Sequence, residues 1–227
     1  MHIYQEAYIQ PVMQLVDSGA NVLMIGGDNG VLESELSKFN TKVALTILPW
    51  DSSYYKWIRS NKRLLFREFD SKRVLFDEVF FEFLESHPSS FDLIVVDLPD
   101  PEDLAYTQFY SKEFLEACFR SLKPRGIFVS QSGDVFKNKE KSNKIWRTAG
   151  RAGFYLLPYY AQIPTIGHWS WFIGSKTLPE DIIQNKLTNV SPEETKWWNQ
   201  DAMNLMMNSG RKTFFEDQDS SIFILNH

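Results

Sequence analysis

Asp97 and Asp100 stand three residues apart in Val96-Asp97-Leu98-Pro99-Asp100-Pro101, directly after the apolar run that begins at Leu93. Prolines end an extended run and stiffen the loop beyond it, so both acids are expected to project from a rigid segment at the carboxyl end of a strand. Carboxylates held there face the crevice at the carboxyl ends of the strands, where a ligand would lie. The plainer alternative is that Asp97 only orders the turn. A second cluster, Gly26-Gly27-Asp28-Asn29-Gly30, comes after another apolar run and precedes a helical stretch. Glycines in such a turn let a ligand approach the backbone and leave the N–H groups of the helix start facing it. Asp28 in its middle repels a pyrophosphate but can hold a cationic group, which favours a nucleoside with a positive tail over a dinucleotide. The alternative is a tight turn with Asp28 as a helix cap.

These residues need elements to carry them, and the chain alternates short apolar runs with longer amphipathic stretches. The runs 21–25, 42–48, 73–76, 93–96 and 126–130 suit strands covered on both faces, as in a parallel sheet. The stretches 31–38, 52–61, 78–86, 111–122 and 139–152 are the helical candidates between them. Such alternation predicts βαβ units with right-handed crossovers. Past residue 152, the segments 154–162 and 169–174 read as strands joined by a loop that holds Pro164 and Gly167. The expectation is an α/β, methyltransferase-like (Rossmann-like) doubly wound, mostly parallel sheet with an antiparallel C-terminal hairpin. In an open sheet of this kind the ligand crevice lies outside the carboxyl ends of the strands, where the acidic loop and the glycine turn fall. One domain is expected over 1–227, with its core at about 20–176. An extension over 177–227 holds a helical candidate near 192–207 and a strand-like stretch at 221–225.

Composition narrows the partners. Lys and Arg number 24 against 29 Asp and Glu, giving a net charge of −5. No basic stripe of the sort that displaces counterions from phosphates is present, so nucleic acid is not an expected partner. No apolar segment approaches the ~20 residues that span a bilayer, and no basic stretch with an apolar run opens the chain. A cytoplasmic setting with no membrane contact in this chain is therefore expected. The one cysteine, Cys118, forbids an internal disulfide and reads as a small core residue. The four histidines, at 2, 87, 168 and 227, are too dispersed for a metal site, and no metal is expected.

The segment FDLIVVDLPDP, continued by YTQFYSKEFLEACFRSLKPRGIFVSQSG, closely resembles the polyamine aminopropyltransferases, the spermidine synthase family. The DLPDP form, with PTIGHWSWFIGSK later, is most similar to a branch whose members often carry a membrane-spanning region. Tyr4-Gln5-Glu6 matches the family's tyrosine-glutamine-glutamate motif, and Tyr160 ahead of Pro164-Thr165 matches its tyrosine before a proline-threonine loop. The tail WWNQDAM is similar to the family's C-terminal aromatic pair, and the resemblance runs from about residue 2 to 215. It implies transfer of an aminopropyl group from decarboxylated S-adenosylmethionine to a primary amine such as putrescine. The partners implied are thus a small polyamine and a nucleoside, with a second copy of the chain as the candidate protein partner.

The resemblance implies a role for each matching residue. Asp97 is the expected base and orienter of the amine. Tyr4, Gln5, Asp100 and Tyr160 are expected to hold the diamine or the nucleoside. Gly26, Gly27 and Gly30 form the donor's turn, Asp28 binds its terminal ammonium, and Asp77, favoured over Glu78, meets the adenine. Three departures stand out. Ile47 occupies the position of an acid that grips the ribose hydroxyls, with Asp51 four residues on as a substitute. Asn29 replaces a glycine in a turn one residue shorter. The small β-rich domain that precedes the Tyr-Gln-Glu motif in the family has no counterpart ahead of Tyr4. These departures keep two other readings in view: a catalytically silent homologue with a binding or regulatory role, and a small-molecule S-adenosylmethionine-dependent methyltransferase.

Overall fold

The structure is a computed structural model that describes residues 2–27, 30–53, 56, 60, 72–74, 79–99, 104–187, 194–208 and 221–225. Among these residues the strands β1 (Ala20–Gly26), β2 (Val43–Leu48), β3 (Lys72–Val74), β4 (Phe91–Asp97), β5 (Leu122–Asp134), β6 (Tyr155–Ile163) and β7 (Gly167–Ser175) form one sheet in the order β3-β2-β1-β4-β5-β7-β6. Pairs β3–β2, β2–β1, β1–β4 and β4–β5 are parallel, and β7 runs antiparallel to both β5 and β6. This is the doubly wound, methyltransferase-like sheet with an antiparallel C-terminal hairpin that the alternating pattern predicts. The expected strand 126–130 is longer than anticipated: β5 starts at Leu122 and carries Pro124 and Gly126 within it.

The pleat sorts the apolar runs onto two faces. Val22, Met24, Leu93, Val95, Ile127 and Val129 join one buried cluster, while Leu23, Ile25, Ile94, Val96 and Phe128 join the other. Helix α1 (His2–Met13) and α2 (Val31–Leu36) cover the first face, together with α7 (Glu180–Lys186) and α8 (Gln200–Asn208), through Ile9, Leu32, Ile183 and Met203. Helix α3 (Phe80–Ser86), α5 (Lys112–Ser121) and α6 (Lys139–Arg151) cover the second, through Leu84, Phe114 and Ile145. A short helix α4 (Leu104–Thr107) precedes α5, whose first turn is capped by the Ser111 hydroxyl accepting from the Phe114 N–H at 3.3 Å.

Helix α1 is the element that brings the Tyr-Gln-Glu motif to the sheet. It carries Pro11 inside it, which removes the N–H that the Ala7 carbonyl would accept from. The Tyr159 hydroxyl of β6 donates to that carbonyl instead, at 3.1 Å, so the helix continues to Met13 while docked on the hairpin. The extension also differs from expectation at its end. Residues 221–225 do not join the sheet but lie across α5 and α6. There Lys112 N–H donates to the Phe223 carbonyl at 2.9 Å, and Phe223 N–H donates to Thr148 Oγ1 at 3.0 Å. The Lys144 ammonium stands 4.3 Å from the centre of the Phe223 ring.

Candidate active site

Strands β1 and β4 are neighbours, and their last residues, Gly26 and Asp97, pair directly. Gly26 has φ 84° and Gly27 φ 72°, conformations that favour glycine, and a Cβ on Gly26 would fall 2.0 Å from the Asp97 carbonyl oxygen. Only a residue without a side chain lets the two strand ends close in this way. Gly27 N–H then donates to that same carbonyl at 3.1 Å, and Gly30 N–H closes the turn on the Gly27 carbonyl at 3.0 Å. The glycine turn and the Asp97 loop are thus one hydrogen-bonded unit at the carboxyl edge of the sheet. Asp28, Asp77 and Asp100 lie outside the described residues.

The Asp97 side chain is half-buried, and the Tyr4 hydroxyl donates to its Oδ1 at 2.9 Å. Tyr8, one helical turn on, donates its hydroxyl to the Val96 carbonyl. Both rings pack on Trp171 of β7, with centroids 5.6 Å and 5.9 Å away, and stand edge-on to each other at 5.7 Å. Burial, then the neighbouring Asp97 and Tyr8, push the Tyr4 phenol well above its ordinary value, so Tyr4 stays a proton donor to the carboxylate. The loop beyond is fixed as tightly. Gln131 Nε2 donates to the Leu98 carbonyl at 2.5 Å, and the Tyr110 hydroxyl lies 3.3 Å from the Leu98 carbonyl and 3.2 Å from that of Pro99. Val96, Asp97, Leu98 and Pro99 each have a bonded carbonyl, so the acid sits on a backbone that four different elements hold in place.

Gln5 turns towards the glycine side of this unit, where its Nε2 lies 3.3 Å from Glu35 Oε2 on α2. Glu35 is fully buried and also accepts from Gln10 at 2.6 Å, while the Lys38 ammonium stands 2.7 Å from it. Tyr160 lies on β6, three strands from β4, and packs with the opposite cluster beside Phe136 and His168. Tyr4 and Asp97 are therefore brought into contact, Gln5 is joined to the helix that comes after the glycine turn, and Tyr160 is set apart. Ile47 is completely buried in the α1-side cluster, opposite Met24 on β1.

A cavity of about 380 Å³ opens next to the strand ends, lined by Pro49 and Trp50 after β2, Val79 and Phe80 before and in α3, and Gln108 and Phe109 ahead of α5. Trp50 meets Phe109 edge-on at 5.1 Å and Tyr106 at 5.3 Å, so one side of the cavity is an aromatic cluster. None of these aromatics was singled out by the sequence pattern, because three distant segments supply them. Among the described residues no cluster of three or more His, Cys, Asp or Glu stands ready for a metal ion. Among them, too, no helix is long and apolar enough to cross a membrane.

Residues 1–186 match the family described as the spermine/spermidine synthase domain. The chain belongs to that family. It is 31% identical to polyamine aminopropyltransferase 2 of Aquifex aeolicus over 179 residues, covering 76% of this chain and 36% of that protein. It is 26% identical to the polyamine aminopropyltransferase of Oceanobacillus iheyensis, covering 97% of this chain and 42% of the relative. The chain thus spans well under half the length of these relatives. Among solved structures it resembles a spermidine synthase in complex with the transition state analogue AdoDATO, with a TM-score of 0.78 at 22% identity over 94% of this chain and 75% of that one. The spermidine synthase of Thermotoga maritima gives a TM-score of 0.75 at 21% identity, over 94% of this chain and 74% of that one. At that identity these structures speak for the shared fold.

Proposed function

We propose that this chain carries out aminopropyl transfer, taking decarboxylated S-adenosylmethionine and a primary amine such as putrescine to spermidine and methylthioadenosine, in the cytoplasm. The observation that supports this best is the Tyr4–Asp97 hydrogen bond at 2.9 Å, placed where the glycine turn and the end of β4 are bonded together. The amine arrives as an ammonium and is no nucleophile until it loses a proton. Asp97 takes that proton, and the freed lone pair attacks the methylene carbon attached to the sulfonium. The C–S bond breaks with its electrons going to sulfur, which leaves as a neutral thioether. Charge balances at each stage: one proton passes to the carboxylate, and the positive charge of the sulfonium passes to the new secondary ammonium.

The residues divide between the two substrates. The Tyr4 hydroxyl, kept protonated, orients Asp97 so that its other oxygen faces the amine. The glycine turn receives the nucleoside, Asp28 takes the donor's terminal ammonium, and Asp77 and the aromatic cavity receive the adenine. Asp100 and Tyr160 are assigned to the far end of the diamine. Asp28 is what selects decarboxylated donor, since the carboxylate of intact S-adenosylmethionine would be repelled there. The test is direct: incubate the protein with putrescine and decarboxylated donor, and monitor spermidine and methylthioadenosine together. Equal amounts of both support the reading, whereas methyl transfer from intact S-adenosylmethionine overturns the donor assignment.

A second reading draws on Ile47. Its burial in the core leaves β2 without a carboxylate at the position the family uses for the ribose. A hydrogen bond to a charged group is worth roughly 1.5–3 kcal/mol, so donor affinity falls by about one to two orders of magnitude without it. A silent homologue would bind no nucleoside at millimolar concentration by calorimetry, and that result would favour the second reading over the first.

A further inference from the structure

Helix α1 is gripped on both sides. Tyr4 and Tyr8 lie one turn apart and face the sheet, whereas Glu6 and Gln10 lie on the other side of the helix. Glu6 is completely buried. Its carboxylate accepts from three successive backbone N–H groups: Lys196 to Oε1 at 2.9 Å, and Trp197 and Trp198 to Oε2 at 2.8 Å each. Successive N–H groups converging on one anion form a nest. The Thr195 hydroxyl shapes this one by donating to the Trp198 carbonyl at 2.7 Å, and the Lys38 ammonium stands 4.0 Å from Glu6 Oε1. Burying a carboxylate is costly unless donors surround it, so a glutamate at this position answers to the donors it collects.

The donors come from the far end of the chain. Residues 194–208 lie beyond the stretch that matches the family domain, which ends at 186. Trp198 and the α8 methionines Met203, Met206 and Met207 bury themselves in the same cluster that α1 covers. The nest therefore lies in a loop segment that the buried Trp198 and the helix after it anchor to the core. Glu6 stands two positions from Tyr4 on the same helix, so a rotation or slide of α1 that breaks the nest also carries the Tyr4 hydroxyl away from Asp97.

We propose that Glu6 is a positioning residue through which the C-terminal segment 194–208 sets the Tyr4 hydroxyl on Asp97. This rests on the reading of Asp97 as the base, and the contact itself can be read without turnover. Full-length protein is labelled with ¹³C at tyrosine Cζ, and the Tyr4 resonance is assigned with Tyr4→Phe. Glu6→Gln keeps the side-chain volume but turns an amide N–H₂ towards the backbone donors.

The Tyr4 resonance is expected to leave its wild-type position in Glu6→Gln. Turnover is expected to fall about 10-fold, mainly in kcat, as for a weakened hydrogen bond to a charged group. In the Tyr4→Phe background Glu6→Gln is expected to lower turnover no further, because the two act through one contact. A folded Glu6→Gln protein with an unmoved Tyr4 resonance overturns the proposal, as do losses that multiply in the double variant. If Glu6→Gln does not fold, Thr195→Val removes the hydroxyl that shapes the nest, and the same resonance decides: moved supports the proposal, unmoved overturns it. Absence of spermidine from the wild-type protein would defeat the reading of Asp97 while leaving the resonance test intact.

Discussion

Tyr4→Phe isolates one hydrogen bond and little else. The phenyl ring keeps its place 5.6 Å from Trp171 and 5.7 Å from Tyr8, so packing is preserved. The loss is the 2.9 Å contact to Asp97 Oδ1. A hydrogen bond to an ionised group is worth about 1.5–3 kcal/mol, which at 1.36 kcal/mol per tenfold is a loss of about 10- to 100-fold in rate. Asp97 is only half-buried, so water replaces the phenol in the ground state and the cost in stability stays within about 1 kcal/mol. The assay is initial-rate kinetics of spermidine formation with both substrates varied, beside thermal unfolding. If the hydroxyl acts by orienting the base, the expected result is a lower kcat with the KM for the amine changed much less, whereas a hydroxyl that holds the diamine raises KM. A change in kcat below about twofold, or a loss confined to KM, would refute the role given to Tyr4.

The same geometry bears on other positions. Gly26→Ala drives a methyl group into the Asp97 carbonyl, 2.0 Å away, at a residue with φ 84°. It should cost at least about 3 kcal/mol in urea unfolding and abolish nucleoside binding. Ile47→Glu places a carboxylate in a fully buried site and should destabilise by at least about 3 kcal/mol without any gain in affinity for methylthioadenosine. Tighter nucleoside binding in a stable variant would show that this position reaches the ribose after all. Tyr4, Tyr8 and Tyr159 are all raised well above the ordinary tyrosine value, first by burial, so the folded chain keeps protons that the unfolded chain releases near pH 10. Their contribution is fully present below about pH 10 and is lost as pH rises towards the folded values, at about 1.4 kcal/mol per pH unit for each phenol. Thermal unfolding from pH 8 to 11 should show a steep fall beginning near 10, and a flat profile would mean that the rings are wet.

Much of the sheet was legible because parallel strands buried on both faces are written as continuous apolar runs, as in Leu93-Ile94-Val95-Val96. Asp97 was legible because a polar residue ending such a run, with proline soon after, must emerge at a strand's carboxyl end. The double glycine was visible too, yet its reason was not: Gly26 yields space to the Asp97 carbonyl, a neighbour 71 residues away in sequence. Helix α1 carried no periodic signal, since residues 6–13 are buried all round and Pro11 interrupts them. Its continuity depends on the Tyr159 hydroxyl, and no local rule reveals that partner. Glu6 and Glu35 read as ordinary acids, and only the fold shows them buried among backbone N–H groups, amides and Lys38. The aromatic cavity was hidden for a related reason, because Trp50, Phe80 and Phe109 meet only after three crossovers.

The central claim is that Asp97 removes the amine's proton, and Asp97→Asn tests it most directly. The variant keeps the shape of the side chain and the Asp97 carbonyl that the glycine turn holds. Spermidine formation is measured alongside calorimetric binding of methylthioadenosine. The account predicts that turnover falls at least about 1,000-fold, the upper part of the range for a lost general base, while the nucleoside still binds with its wild-type affinity. Spermidine made by Asp97→Asn at near the wild-type rate would contradict it.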